Sequence, residues 1–128
     1  MPRMLIVDDE PKICECLQAH FAARGMTVQT ALNGQDALEI LMNDAPQDFL
    51  LLDIRLPDMK GIEVLKRAKE LCPDAKVFMV TALDDEGPRM EAKAYGAHGY
   101  ITKPFDLSEA TWAPVLFEDA PGRSAGFC

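Results

Sequence analysis

Phe49-Leu50-Leu51-Leu52-Asp53-Ile54-Arg55-Leu56-Pro57-Asp58 is the stretch on which the fold turns. Four apolar residues run directly into a carboxylate, and Pro57 then interrupts regular structure. A short continuous apolar run reads as a strand buried on both faces, as in a parallel sheet covered by helices. Asp53 then stands at the strand's C-terminal end, the edge where open parallel sheets place their ligands. An isolated Asp after a strand is usually a solvated loop residue. Its neighbours in the fold decide whether Asp53 does more.

Working outward, the same pattern recurs. Met4-Leu5-Ile6-Val7 is an apolar run ending in Asp8-Asp9-Glu10, and Val77-Phe78-Met79-Val80 ends at Thr81. A short last strand around Tyr100-Ile101 leads to Lys103-Pro104-Phe105, and Met26–Thr30 alternates as an edge strand does. Between the strands lie helical stripes: Ile13, Leu17 and Phe21 after Pro11; Ala37, Leu38, Leu41 and Met42 after Asn33-Gly34; Ile62, Leu65, Ala68 and Leu71 after Gly61. A weaker stripe, Met90, Ala94 and Tyr95, follows a loop read at Asp84-Asp85-Glu86-Gly87-Pro88. Five strands alternating with helices imply an α/β, doubly wound parallel sheet with right-handed crossovers.

Composition narrows the function. The chain has 128 residues, room for one domain with a real core. Its net charge of −8 argues against direct binding to nucleic acid or an anionic membrane surface. No run reaches membrane-span length and the N-terminus opens on a strand, so a cytoplasmic location is expected. Cys14, Cys16, Cys72 and Cys128 lack metal or disulfide spacing and read as small buried hydrophobes.

Chain order gathers Asp8, Asp9, Asp53, Thr81 and Lys103 on one sheet edge. Each alone has an ordinary reading as a helix cap, a strand residue or a loop charge; together they form a set. Two carboxylates about 4 Å apart repel by about 4 kcal/mol at an effective dielectric near 20. Three need a cation, and magnesium suits an oxygen-only donor set. Such an ion would neutralise charge on a transferring phosphoryl group, with Lys103 and the Thr81 hydroxyl holding its oxygens and Asp53 as nucleophile.

These residues resemble the receiver domain of bacterial two-component response regulators. The resemblance rests on Asp8-Asp9, Asp53, Thr81-Ala82 and Lys103-Pro104, and runs from about Leu5 to Glu109. It implies the flavodoxin-like strand order 2-1-3-4-5. It further implies Asp53 as phosphoacceptor; Asp9 as direct Mg2+ ligand (Mn2+ substituting), with Asp8 acting through water; the backbone carbonyl of Arg55 as a further ligand; and small Ala82 leaving room for the phosphoryl oxygens. Thr81 and Tyr100 become the switch pair. The implied partners are a sensor histidine kinase and a C-terminal output domain or downstream protein. A two-state shift of the fourth helix, fifth strand and fifth helix would carry the signal.

Other uses of the same architecture fit less well. A dehalogenase-type phosphatase needs a second Asp two positions after the nucleophile, where Arg55 stands. A flavodoxin cradles phosphate in its first loop, from which Asp8-Asp9-Glu10 would repel it. A receiver that binds partners without phosphorylation has no evident use for Asp53, Thr81 and Lys103 together. The departures lie at the far end. Asp106-Leu107-Ser108 opens a capped fifth helix, but Pro114 falls in its course at a cost of about 3 kcal/mol. Residues 1–110 are thus expected to form the receiver domain. Residues 111–128 are expected to be an irregular tail with the look of vector-encoded read-through, leaving the fifth helix atypical or truncated. Apolar surface bared by a short helix would favour a homodimer.

Overall fold

The computed structural model describes residues 1–83, 85–108, 111 and 112. The apolar runs become β1 (Arg3–Val7), β3 (Phe49–Leu52) and β4 (Lys76–Thr81), the alternating run β2 (Thr27–Ala31), and the last short strand β5 (Gly99–Thr102). The helices are α1 (Pro11–Ala22), α2 (Gly34–Asn43), α3 (Gly61–Leu71) and α4 (Glu86–Ala94). All strand pairs are parallel and the order is β2-β1-β3-β4-β5, as expected. None of the described helices is long and apolar enough to cross a membrane.

Strand residues alternate between two cores, because successive side chains leave opposite faces of the sheet. Leu5, Val7, Leu50, Leu52, Val77 and Met79 meet α2 and α3 on one face. Met4, Ile6, Leu51, Phe78 and Val80 meet Cys14, Leu17 and Phe21 of α1 on the other. Trp112 joins the second core, fully buried, edge-on to both Phe21 and Phe105 at centroid distances of 5.4 and 5.3 Å. Its indole N–H donates to the Asp106 carbonyl. The packed core therefore reaches past position 110, into the segment expected to be tail. Thr111 and Trp112 are helical, while the expectations for Pro114 and the rest of the tail lie outside the described residues.

The helix faces differ in part from the stripes read in the sequence. Met42, Leu71, Met90 and Tyr95 are exposed, and Val64 and Ala92 are buried in their stead. Cys16 is exposed, whereas Cys14 and Cys72 are buried free thiols. Gly87-Pro88, expected in a loop, lies in the first turn of α4. Pro is tolerated there because first-turn N–H groups have no intrahelical partner to lose.

The turn from β3 into α3 is closed tightly. The Gly61 N–H donates to the Ile54 carbonyl at 2.6 Å, and a Cβ on Gly61 would fall 2.0 Å from the Asp53 carbonyl oxygen and 2.7 Å from the Ile54 Cα. Backbone cannot yield as a flexible side chain can. Gly61→Ala is expected to destabilise the domain by about 3 kcal/mol, read as a lowered midpoint in urea. An unchanged midpoint would show that the turn tolerates a side chain.

Candidate functional site

Ladder bonds run on into the polar residues. The Asp8 N–H donates to the Ala31 carbonyl at 3.1 Å, the Asp53 N–H to Val7 at 3.0 Å, and the Lys103 N–H to Thr81 at 2.8 Å. The backbone at each strand end is thus fixed by its neighbour, and the side chains meet at one edge.

Lys103 is the centre of that meeting. Its Nζ lies 2.7 Å from Asp8 Oδ2, 2.9 Å from Asp53 Oδ2 and 3.9 Å from Glu10 Oε1. The second oxygen of each buried carboxylate accepts from a backbone N–H two residues on: Asp8 Oδ1 from Glu10 at 2.9 Å, Asp53 Oδ1 from Arg55 at 3.1 Å. The peptide bond from Lys103 to Pro104 is cis. Burial pulls the Lys103 pKa down, but the hydrogen bonds and the charge attraction of Asp8 and Asp53 together outweigh it, and the net shift is upward. Burial raises the Asp8 pKa, and the hydrogen bond from Lys103 only partly offsets it.

Asp9 and Glu10 are exposed, and their carboxylates lie with that of Asp8 within 4.8 Å of one another. This donor set is all oxygen, with no imidazole or thiolate, and it exceeds the single ammonium in charge. It fits a hard divalent cation that keeps several waters. Thr81 is fully buried, and its Oγ1 accepts from the Leu83 N–H at 3.4 Å. Tyr100 is half-buried on β5; its hydroxyl donates to the Leu83 carbonyl, and the Arg89 guanidinium lies over its ring at 4.4 Å. The Arg55 side chain is exposed.

The structure therefore joins Lys103 directly to Asp53 and Asp8, keeps Asp9 beside Asp8, and places Thr81 at the neighbouring strand end. Two participants escaped the sequence reading. Glu10 reads in sequence as an ordinary residue before a helix, yet it approaches Lys103. Cys14 reads as core, yet its thiol donates to the Asp8 carbonyl at 3.4 Å, and burial pushes it up to about 11.

The raised Asp8 pKa has a definite sign. A carboxyl whose folded pKa exceeds its unfolded value binds more protons when folded, so stability falls as pH rises between the two values. The ionised group is a liability at neutral pH without metal. Asp8→Asn is therefore expected to raise the melting temperature of the metal-free protein at pH 7 by a few degrees, about 1 kcal/mol, with the gain shrinking on acidification. A gain that persists at low pH would show a cause other than charge.

An acidic pocket bridged by a lysine thus stands at the carboxyl edge of a sheet ordered 2-1-3-4-5, the edge where open α/β sheets of this class place their sites. The response regulator receiver domain matches residues 4–113, and the chain belongs to that family. It is thus a phosphorylation-dependent signalling switch. It is 38% identical over 107 residues to the transcriptional regulatory protein DltR of Streptococcus agalactiae, covering 84% of this chain and 47% of that one. It spans about half the length of this relative. Among solved structures it is similar to a CheY-like receiver domain protein from Methanospirillum hungatei, with TM-score 0.86 and 30% identity over 92% of this chain and 93% of that one. It also resembles the BeF3-activated receiver domain of DrrB from Thermotoga maritima, with TM-score 0.80 and 30% identity over 91% and 95%.

Proposed function

We propose that Asp53 accepts a phosphoryl group from a sensor histidine kinase, or from a small phosphodonor, in a Mg2+-dependent reaction. The observation that carries this reading is the Lys103 ammonium held against both Asp53 and Asp8. In the transfer a new bond forms from an Asp53 carboxylate oxygen to phosphorus, while the bond from phosphorus to the donor's nitrogen or oxygen breaks. The product is an acyl phosphate. Asp8, Asp9, Asp53 and the Arg55 backbone carbonyl would hold Mg2+ (or Mn2+), which when bound neutralises charge on the transferring group. Lys103 balances one phosphoryl oxygen from its place beside Asp53, and the Thr81 hydroxyl donates to another.

The output follows from the contacts around Leu83. Thr81 and Tyr100 both bind this residue, one at its N–H and one at its carbonyl. A shift of Thr81 toward a phosphoryl oxygen disturbs the loop on which Tyr100 rests, and through Arg89 the helix α4. That couples the pocket to the face formed by α4, β5 and the expected fifth helix, and to an output domain or partner protein, in a cytoplasmic setting. The same face would serve a homodimer. With a net charge of −8, the domain itself is not the part that touches nucleic acid or membrane. The likeness to a receiver activated by BeF3 supports the reading.

Acetyl phosphate with Mg2+ is expected to add the mass of one phosphoryl group to the intact protein, and a chelator to prevent it. No mass gain would turn the assignment to a receiver that binds partners without phosphorylation.

A further inference from the structure

Asp58 lies outside the pocket, in the loop from Asp53 to Lys60 that joins β3 to α3. This loop supplies the Arg55 backbone on both sides of its Cα: the N–H that binds Asp53 Oδ1 and the carbonyl assigned above to the cation. One end is closed by the Gly61–Ile54 hydrogen bond and by a bridge between Arg55 and Lys60. The tip is held elsewhere. Asp58 Oδ1 accepts from the Gly34 N–H at 2.8 Å and Oδ2 from the Gln35 N–H at 2.9 Å, so the whole carboxylate grips the first turn of α2. Both bonds hold its pKa below the usual carboxylate range. Beside it, Met59 fills the space a side chain on Gly34 would need; a Cβ there would fall 2.4 Å from the Met59 Cγ. Asn33 already caps this helix, accepting from the Asp36 N–H at 2.8 Å. Asp58 therefore binds two donors that the helix's own cap leaves over.

We infer that Asp58 is a positioning residue: it clamps the β3–α3 loop to α2 and so fixes the Arg55 backbone around the phosphoacceptor. Carboxylate at a helix N-terminus is favoured by the unpaired N–H groups and the helix dipole. Groups that orient a ligand from outside its immediate contacts commonly change affinity or rate by about 10–100-fold when removed. The inference rests on the role proposed for Asp53 and Arg55, and its test separates the two.

The test compares wild type, Asp58→Ala, Asp58→Asn and Asn33→Ala. The readouts are Mg2+ affinity by calorimetry, phosphorylation rate with acetyl phosphate, and hydrogen exchange of residues 54–60. Asp58→Ala is expected to weaken Mg2+ binding and slow phosphorylation by about tenfold each, and to speed exchange in the loop. Asp58→Asn, which keeps one acceptor oxygen, falls between it and wild type. Asn33→Ala loosens the same helix end without touching the loop and leaves Mg2+ affinity and rate at the wild-type level. Wild-type behaviour of Asp58→Ala overturns the inference, as does an equal loss in Asn33→Ala, which would trace the effect to the helix. If wild type neither binds Mg2+ nor gains phosphate, the proposed reaction fails, and loop exchange alone decides the clamp: faster in Asp58→Ala supports it, unchanged refutes it.

Discussion

Asp53→Asn is expected to lower phosphoryl transfer from acetyl phosphate by on the order of 10³-fold or more, the scale on which removal of a nucleophile acts. The substitution is close to isosteric. Its amide oxygen can still accept from Arg55 N–H or from Lys103, so the loop and the lysine keep a partner. What is lost is the anionic oxygen that attacks phosphorus. The Asp53 charge also contributes to raising the Asp8 pKa. Its removal relieves repulsion, so Asp53→Asn should melt no lower than wild type in metal-free buffer. Loss of labelling in a protein that melts normally identifies the acceptor. Stoichiometric labelling of Asp53→Asn would place the acceptor on another side chain.

Lys103→Met is expected to have the second largest effect, and to show it in two ways. It keeps much of the side chain's length and removes the charge. Transfer should slow by about 10²–10³-fold, the loss typical when a preorganised charge donor is deleted. Stability should fall as well, because Asp8 and Asp53 would remain buried without their shared ammonium; breaking a buried pair from one side costs about 3–5 kcal/mol. The Lys103 side chain is 12% exposed, which places the expected cost toward the lower end.

The pH dependence separates this from simple loss of packing. Lys103 has a folded pKa above its unfolded value. Its contribution in wild type is therefore fully present below the ordinary lysine range and is lost only as pH rises through the folded value. In Lys103→Met the two carboxylates face each other uncompensated, and protonating either relieves them. The variant should gain stability as pH falls from 7 toward about 5, the direction set by a carboxyl that binds protons more readily folded than unfolded. A melting temperature independent of pH over that interval would mean that lost packing, not charge, governs the variant.

Much of this architecture is legible in the sequence. β1, β3 and β4 are buried on both faces, so their sequences are nearly continuous apolar runs that stop where burial stops. The polar residues at those stops, Asp8-Asp9, Asp53 and Thr81, together with Lys103 after β5, can be read as one edge from chain order alone. Helix faces were less legible. Met90 and Tyr95 have helical spacing, but α4 packs near the sheet margin, and of its residues only Ala92 is buried. A periodic stripe shows that a helix has an apolar side; it does not show how far the neighbouring surface extends beneath it.

By itself, then, the sequence determined the alternation of strands and helices, the parallel sheet, and which residue types gather at its carboxyl edge. These depend on local period and chain order, which short-range physics sets. The three-dimensional packing decided the rest. It turned Asp8 inward and left Asp9 outside, brought Lys103 between two carboxylates 95 and 50 positions earlier in the chain, drew Trp112 into the core, and set Asp58 on a helix that begins 24 residues before it. Those outcomes hang on contacts between residues far apart in sequence, whose distances no local pattern encodes.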